Sequence, residues 1–170
     1  MEFEKLVRER YSVRKFTDEQ VSDEDIRKIL DSIYISPTGQ NKQPLRIWTI
    51  RSRERLEDVK RITKFHYDAP LTIAVCAVPG EGFVRKSDGC DHCVIDAAAA
   101  TMQAWLMTED IGLGAVWVSD FDSSLQDALF PEMKGTELVA LLQIGHISPE
   151  SKPLGWHSKK RDRSEMFFEL

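Results

Sequence analysis

The chain has few cysteines, no long apolar run and no excess of basic charge, and each shortage excludes a class of protein. Its 170 residues include three cysteines, an odd number that does not suit a framework of structural disulfides. Acidic residues outnumber basic ones by 28 to 23 and the two signs are interspersed, so we expect no nucleic-acid surface. No apolar run approaches the roughly 20 residues that cross a bilayer, so we expect no membrane span.

Missing motifs and linkers narrow the choice further. The sequence has no internal repeat, low-complexity segment or Pro/Gly/Ser-rich linker, which predicts a single domain over residues 1–170. Residues 1–4 lack the charged-then-apolar design of a signal peptide, so we expect a cytoplasmic protein. No G-x-S-x-G elbow, P-loop or H-E-x-x-H sequence occurs, which leaves hydrolases of those kinds without a starting point. The G-x-G pieces at 80–82 and 112–114 do not continue as a dinucleotide fingerprint, which disfavours a Rossmann fold.

Hydrophobic periodicity predicts helices and strands along most of the chain. A short first helix is followed by helices at about 23–35, 52–62, 94–111 and 125–130, and by strands at about 45–50, 71–78, 115–119 and 138–144. Ser22 and Ser52 are the expected N-caps of the first two of these helices. The helix at 94–111 is apolar on nearly every side, so we expect it to be central.

The segment 148–170 does not follow this pattern. It carries apolar side chains at Trp156, Met166, Phe167 and Phe168, but they show little periodicity. We therefore expect this segment to pack on something outside its own compact body, and a partner subunit is one candidate.

Two polar motifs in the first third of the chain suit a phosphate and a flat heterocycle. The first, R-Y-S-V-R-K-F at 10–16, offers arginine forks and a hydroxyl, and arginine binds phosphate oxygens bidentately. The second, P-T-G-Q-N-K-Q-P at 37–44, offers side-chain amides that can both donate and accept hydrogen bonds. Each motif alone would be weak.

Two further motifs follow in a set order. An alanine-rich stretch, D-A-A-A-A-T-M-Q at 96–103, continues to G-L-G-A-V-W-V at 112–118, and a basic run K-K-R occupies 159–161. By themselves, Trp117 would be a core residue and the basic run a solvated tail. The value of these stretches lies in their order and spacing relative to the first two motifs.

Together the four motifs resemble the nitroreductase family, whose members carry flavin mononucleotide (FMN). The resemblance implies an α+β fold, with a central, mostly antiparallel sheet flanked by helices. It also implies a homodimer with two flavins at the interface and a C-terminal arm, 148–170, that packs on the partner. The implied activity is ping-pong transfer of hydride from NAD(P)H through flavin N5 to an electron-poor acceptor such as a nitroaromatic or quinone. No catalytic side chain and no metal are implied.

The resemblance also implies which residues hold the flavin. The phosphate would meet Arg10, Ser12 and Arg14 together with Lys159 or Arg161, while Arg163 competes with Arg161 for that place. The loop residues Thr38 and Asn41 would reach the partner's flavin, and the backbone after Trp117 would meet the reactive edge of the ring. The full implied set is Arg10, Tyr11, Ser12, Arg14, Pro37, Thr38, Gly39, Asn41, Gln43, Trp117, Val118, Ser119, Asp120, Lys159 and Arg161.

The sequence departs from the family in two places. Many members have glycine at position 119 or 120, where this chain has Ser119 and Asp120. These side chains could narrow the pocket, and an acidic group near the flavin would disfavour its anionic reduced form. The segment between Pro79 and Cys90 is also short, where longer members carry an extension over the substrate site.

Other functions stay open at this point. A family relative could use the same flavin for dehalogenation, or for oxidising a peptide or metabolite with another donor. A non-catalytic protein could store or sense flavin. A thiol oxidoreductase could work through Cys90 and Cys93, a C-x-x-C pair at the start of the long helix, where the helix dipole can lower a thiol pKa. Zinc would need further ligands, and His66, His146 and His157 are scattered in sequence.

Overall fold

Four strands form one antiparallel sheet in the computed structural model, which describes residues 2–170. They are Leu45–Ile50 (β1), Leu71–Ala77 (β2), Gly114–Val118 (β3) and Glu137–Gly145 (β4). Their order across the sheet is β1-β2-β4-β3, and each neighbouring pair is antiparallel. The predicted antiparallel sheet is therefore confirmed, and β1 and β3 lie at its two edges.

Five α-helices accompany the sheet within the described residues: Phe3–Glu9 (α1), Asp23–Tyr34 (α2), Arg53–Ile62 (α3), Cys93–Asp110 (α4) and Gln126–Leu129 (α5). Ser22 accepts a hydrogen bond from the Asp25 amide, and Ser52 accepts one from the Arg55 amide, which confirms both predicted N-caps. Every predicted element is present with ends within one residue of the expected ones. The short α5 is preceded by a 3₁₀ turn that Asp122 caps.

Two hydrophobic layers lie on the two faces of the sheet. Since successive strand residues point to opposite faces, Ile73 and Val75 of β2 pack with α2 and α4, while Ala74 and Cys76 pack with α3 and the segment around α5. Helix α4 buries Ala97, Ala100 and Ala104 against the sheet, as expected for a central helix. Its opposite face is open, contrary to that expectation, and leaves Val94, Ile95 and Met102 37%, 55% and 36% exposed. The long helix therefore crosses the sheet at close range. The beginning of α4 lies near residue 39, and its second half lies near residue 10.

The segment after α1 runs between β3 and the residues that follow β4. The Val13 amide donates to the Ala115 carbonyl at 3.0 Å, and the Thr17 amide donates to the His146 carbonyl at 2.9 Å. Gly114 lies so close to this segment that an added Cβ would be 2.7 Å from a Val13 methyl group. The basic motif at 10–16 is thereby fixed along the beginning of β3.

The C-terminal segment 148–170 leaves its aromatic side chains exposed, with Phe168 79% accessible to solvent. This agrees with the expectation that it does not complete the core of its own chain, and its packing on a partner stays a prediction. Within residues 2–170, no helix has the length and apolar character needed to span a membrane.

Candidate functional site

The basic motif contains a half-buried arginine that is only partly satisfied. The guanidinium of Arg10 lies over the Trp105 ring, 4.2 Å from its centroid. Burial lowers the pKa of Arg10, and the nearby Glu109 carboxyl opposes that change. The Nη1 atom of Arg10 is buried and has no hydrogen-bond partner among the described residues. A buried guanidinium nitrogen without an acceptor is the kind of group that an anion would satisfy.

Arg14 and Ser12 lie together in the same motif. The Arg14 Nη1 atom donates to the Ser12 carbonyl at 3.0 Å, and both residues are half-buried. This bond uses one of the five N–H donors of the guanidinium. Within residues 2–170, the remaining donors of Arg14 and the Ser12 hydroxyl make no other side-chain hydrogen bond, which leaves them for a ligand.

The C-terminal segment approaches this motif through Tyr11. The Tyr11 hydroxyl donates to Ser151 Oγ at 3.2 Å, and its ring meets the edge of His157 at 6.3 Å between centroids. Lys159 and Arg161 follow shortly after and are exposed, and Arg161 lies 3.6 Å from the Glu165 carboxylate. The competing Arg163 lies over the Phe167 ring at 5.1 Å. The basic run therefore begins two residues after His157, which contacts the motif, but the side chains of the run extend into solvent.

The amide-rich loop at 37–44 has a constrained backbone. Gln40, Asn41 and Gln43 adopt left-handed φ angles of 52°, 55° and 54°. The Gln43 amide donates to Thr38 Oγ1 at 3.0 Å, and the Gln43 side-chain amide donates to Asn41 Oδ1 at 3.0 Å. These bonds hold an unfavourable conformation in place, which is a common feature of functional loops. Pro37, at the loop's start, is exposed just after α2 ends.

The end of β3 forms a third part of the candidate site. Trp117 packs partly against the core, and its indole Nε1 donates to Ser119 Oγ at 2.6 Å. Val118 is buried, and the Asp120 carbonyl accepts a hydrogen bond from Thr63 Oγ1 at 2.6 Å. The Ser119 hydroxyl is thus engaged with Trp117, while Asp120 is exposed.

Apart from Lys159 and Arg161, which extend into solvent, the predicted site residues fall into two separate groups within one chain. The Gly39 amide donates to Asp96 near the beginning of α4, whereas Arg10 contacts Trp105 nine positions later. Nine residues of helix correspond to roughly 14 Å. The loop also adjoins β1, at the sheet edge opposite to β3. The structure brings the basic motif and β3 together, and it does not bring the amide loop to them.

Three residues of α4 that contact these groups were not predicted. Asp96 contacts the amide loop, Trp105 stacks on Arg10, and the Trp105 indole donates to Glu109 Oε1 at 3.3 Å. A usable sign in the sequence is an acidic residue inside an otherwise apolar helix, because buried acids are rare unless they are paired.

The C-x-x-C pair at 90–93 lacks the environment of a reactive thiol site. Asp91, between the two cysteines, accepts hydrogen bonds from the Gly80 amide at 2.7 Å and the Cys93 amide at 2.9 Å. Burial, and then the Asp91 charge, raise the pKa of Cys93, whereas a reactive thiol needs a lowered pKa. Among residues 2–170, no three His, Cys, Asp or Glu side chains are grouped to hold a metal ion.

An apolar groove of about 610 Å³ lies between α1, α2 and α4. Phe3 and Ile35 at its border are 68% and 72% exposed, and Met102 and Leu106 of α4 line it. Exposed apolar surface of this kind is common at interaction sites.

Comparison with known proteins decides the family. A family model described as the nitroreductase family matches residues 7–74. The crystal structure of a nitroreductase family protein from Clostridium difficile 630 has a TM-score of 0.91 and 31% sequence identity, and the match covers 99% of this chain and 98% of that one. The chain belongs to the nitroreductase family.

Other members of the nitroreductase family agree with this assignment. A relative from Archaeoglobus fulgidus, provisionally named an NADH dehydrogenase/NAD(P)H nitroreductase, is 34% identical over 117 residues. That match covers 67% of this chain and 65% of the relative, so the chain spans about two thirds of that protein's length. A Desulfovibrio desulfuricans protein whose structure was solved in complex with FMN has a TM-score of 0.81 and 26% identity, and the match covers 100% of this chain and 97% of that one.

Glu109 gives this nitroreductase-family chain a testable pH dependence. Burial raises the pKa of Glu109 from 4.5 to about 7, although bonds from Trp105 and the Ala115 amide, and the Arg10 charge, oppose the rise. Between these values the folded chain keeps a proton that the unfolded chain has lost, so the free energy of unfolding falls as the pH rises through this window. The stabilisation is complete only below the unfolded pKa.

The variant Glu109→Gln stays neutral at every pH and should remove this dependence. After allowance for partial solvent screening, we expect its free energy of unfolding at about pH 8 to exceed that of the unaltered chain by about 1–2 kcal/mol. The difference should shrink towards about pH 5. Urea unfolding at both pH values measures this, and an equal difference at the two would contradict the assignment.

Proposed function

We propose that this chain is an FMN-dependent oxidoreductase that takes hydride from NAD(P)H and passes it to an electron-poor acceptor such as a nitroaromatic or quinone. The observation that carries the proposal is the half-buried, unsatisfied Arg10 beside Ser12 and Arg14, fixed along β3. Membership of the nitroreductase family and the FMN complex of the Desulfovibrio relative support it.

The residues of the basic motif fit the flavin phosphate. Arg10 Nη1 lacks an acceptor, Arg14 has donors left over, and Ser12 adds a hydroxyl. A phosphate dianion would satisfy these groups with charge-assisted hydrogen bonds. Lys159 or Arg161 would add charge from the C-terminal segment, which contacts the motif through Tyr11.

The end of β3 fits the reactive edge of the flavin ring. Val13 pairs with Ala115, and Val118 lies three strand positions further along, roughly 10 Å away. The residues proposed to bind the phosphate and the backbone of 118–120 therefore lie along the same strand, β3. The Ser119 hydroxyl already accepts a hydrogen bond from Trp117, and the exposed Asp120 would add negative charge beside the ring.

When bound, FMN supplies the hydride chemistry, and the protein supplies position and electrostatics. Backbone groups at 118–120 would orient the ring, and the basic motif would hold its phosphate. No side chain of this chain needs to form a covalent bond to substrate. A donor and an acceptor would reach the same open face in turn.

We further propose that the active form is a homodimer. The amide loop lies away from the basic motif of its own chain, so the loop of a second copy would be needed to complete the site. The groove between α1, α2 and α4 and the exposed aromatic side chains of 148–170 supply apolar surface for that contact. The arm 148–170 would pack on the partner.

The phosphate assignment predicts a selective defect in Arg14→Ala. Loss of a charge-assisted hydrogen bond is worth about 1.5–3 kcal/mol, a roughly 10- to 150-fold loss in FMN affinity. Riboflavin lacks the phosphate, so its affinity should change little. Fluorescence titration of the apoprotein with both flavins tests this, with the exposed Arg27→Ala as a matched control. Unchanged FMN binding by Arg14→Ala would refute the assignment.

The dimer proposal predicts a mass of about twice 19.5 kDa by light scattering at micromolar concentration. Ile35→Glu places a charge beside the apolar groove and should yield monomer with weakened flavin binding. Ala128→Glu, an equivalent change at an exposed position of α5 on the other side of the sheet, should leave the dimer intact. A flavin-loaded monomer of the unaltered chain would contradict the proposal.

The activity itself is tested by the absorption spectrum. The purified protein should be yellow, and NADH or NADPH should bleach it under nitrogen. Double-reciprocal plots at several acceptor concentrations should then be parallel, because both substrates use the same face. Intersecting lines would indicate a ternary complex. A yellow protein that no nicotinamide bleaches would be a flavin-storage protein or a relative with another donor, and a colourless protein that binds no flavin would refute the proposed function.

A further inference from the structure

Asp96 is a buried acid in the alanine-rich helix α4 with one obvious partner. Asp96 is 7% exposed, and its Oδ1 atom accepts a hydrogen bond from the Gly39 amide at 3.0 Å. Its second oxygen, Oδ2, is buried and has no hydrogen-bond partner among the described residues. Burying a carboxylate is unfavourable, and a single backbone bond satisfies only part of its acceptor capacity. An apolar residue would suit this helix better unless the bond to the loop is needed.

The loop that Asp96 holds is the part of the chain with the most unusual backbone. Three of its residues, Gln40, Asn41 and Gln43, have left-handed φ angles without being glycine. Such conformations persist only when surrounding contacts over-determine them. Inside the loop, Thr38 and Gln43 supply one such contact. Asp96 supplies the one that ties the loop to the helix.

Phe83 makes a second contact with the loop, also at Gly39. A Cβ added to Gly39 would be 2.7 Å from Phe83 Cβ, so only glycine fits there. The Phe83 ring in turn meets the edge of His92 at 5.2 Å, and Asp91 ties the Gly80 amide to the start of α4. Gly39 is therefore contacted by Phe83, which packs on the C-x-x-C stretch, and by Asp96 of α4.

We propose that Asp96 is a positioning residue, which with Phe83 holds the loop at 37–44 in the conformation that presents its amides to the flavin of the partner. The inference rests on the proposed function and extends it to two residues that do not touch the phosphate motif. It also gives the C-x-x-C stretch a purpose that needs no thiol chemistry.

The binding test compares three variants with both flavins. Asp96→Ala removes the acceptor and should weaken FMN and riboflavin alike by about tenfold or more, because the loop acts on the ring. Asp96→Asn keeps an acceptor for the Gly39 amide and should stay within about threefold of the unaltered chain. Thr101→Ala, which removes another buried polar group of α4, should leave both affinities unchanged.

A second readout needs no flavin. Lys42 lies in the loop and is exposed, so limited trypsin digestion of the flavin-free protein, read by mass spectrometry, reports on loop opening. Cleavage after Lys42 should be about tenfold faster in Asp96→Ala and unchanged in Asp96→Asn and Thr101→Ala. Should Asp96→Ala not fold, Gly39→Ala disturbs the loop at the same residue, by forcing a Cβ against Phe83, and should likewise speed cleavage after Lys42 about tenfold.

The outcomes separate the two proposals. Asp96→Ala with normal riboflavin affinity and normal cleavage after Lys42 would overturn the positioning role. An equal affinity loss in Thr101→Ala would also overturn it, because the effect would then be general destabilisation. If the unaltered chain binds no flavin, the proposed function fails, whereas the cleavage assay still decides whether Asp96 holds the loop.

Discussion

Helix α4 lies against the sheet through alanine side chains, and the rest of the structure depends on this contact. Ala97, Ala100 and Ala104 are completely buried, and their small size lets the helix approach the strands closely. Because α4 is 18 residues long, roughly 27 Å, it reaches from one end of the sheet to the other. The basic motif and the amide loop both contact this helix, and the end of β3 belongs to a strand beneath it.

The polar residues of α4 distribute that support. Asp96 reaches the amide loop near the beginning of the helix, while Trp105 and Glu109 reach Arg10 in its second half. A rigid helix keeps these two points roughly 14 Å apart along its axis within one chain. In the proposed dimer, the loop of the second copy would meet the flavin that the basic motif holds. The apolar groove beside α4 supports the same arrangement.

The positive charge of the basic motif is a local feature, because the chain as a whole carries a net charge of −5. Arg10 is stacked on an aromatic ring and partly desolvated, and burial raises the pKa of its neighbour Glu109 to about 7. A carboxyl that is easily neutralised leaves more of the arginine charge for an anion. The acidic surface elsewhere does not prevent a phosphate site because screening limits its reach to about 10 Å.

The sequence by itself determined the elements and the caps, because helix and strand periodicity and serine capping are local properties. Ile73 and Ala74 could be assigned to a buried strand from their neighbours alone, and the motif order identified the family. Only the tertiary structure decided the strand order β1-β2-β4-β3, the separation of Gly39 from Arg10, and the contacts of Asp96 and Glu109. The physical reason is that these depend on which distant segment packs against a residue, and a buried acid shows its partner only after the chain has folded around it.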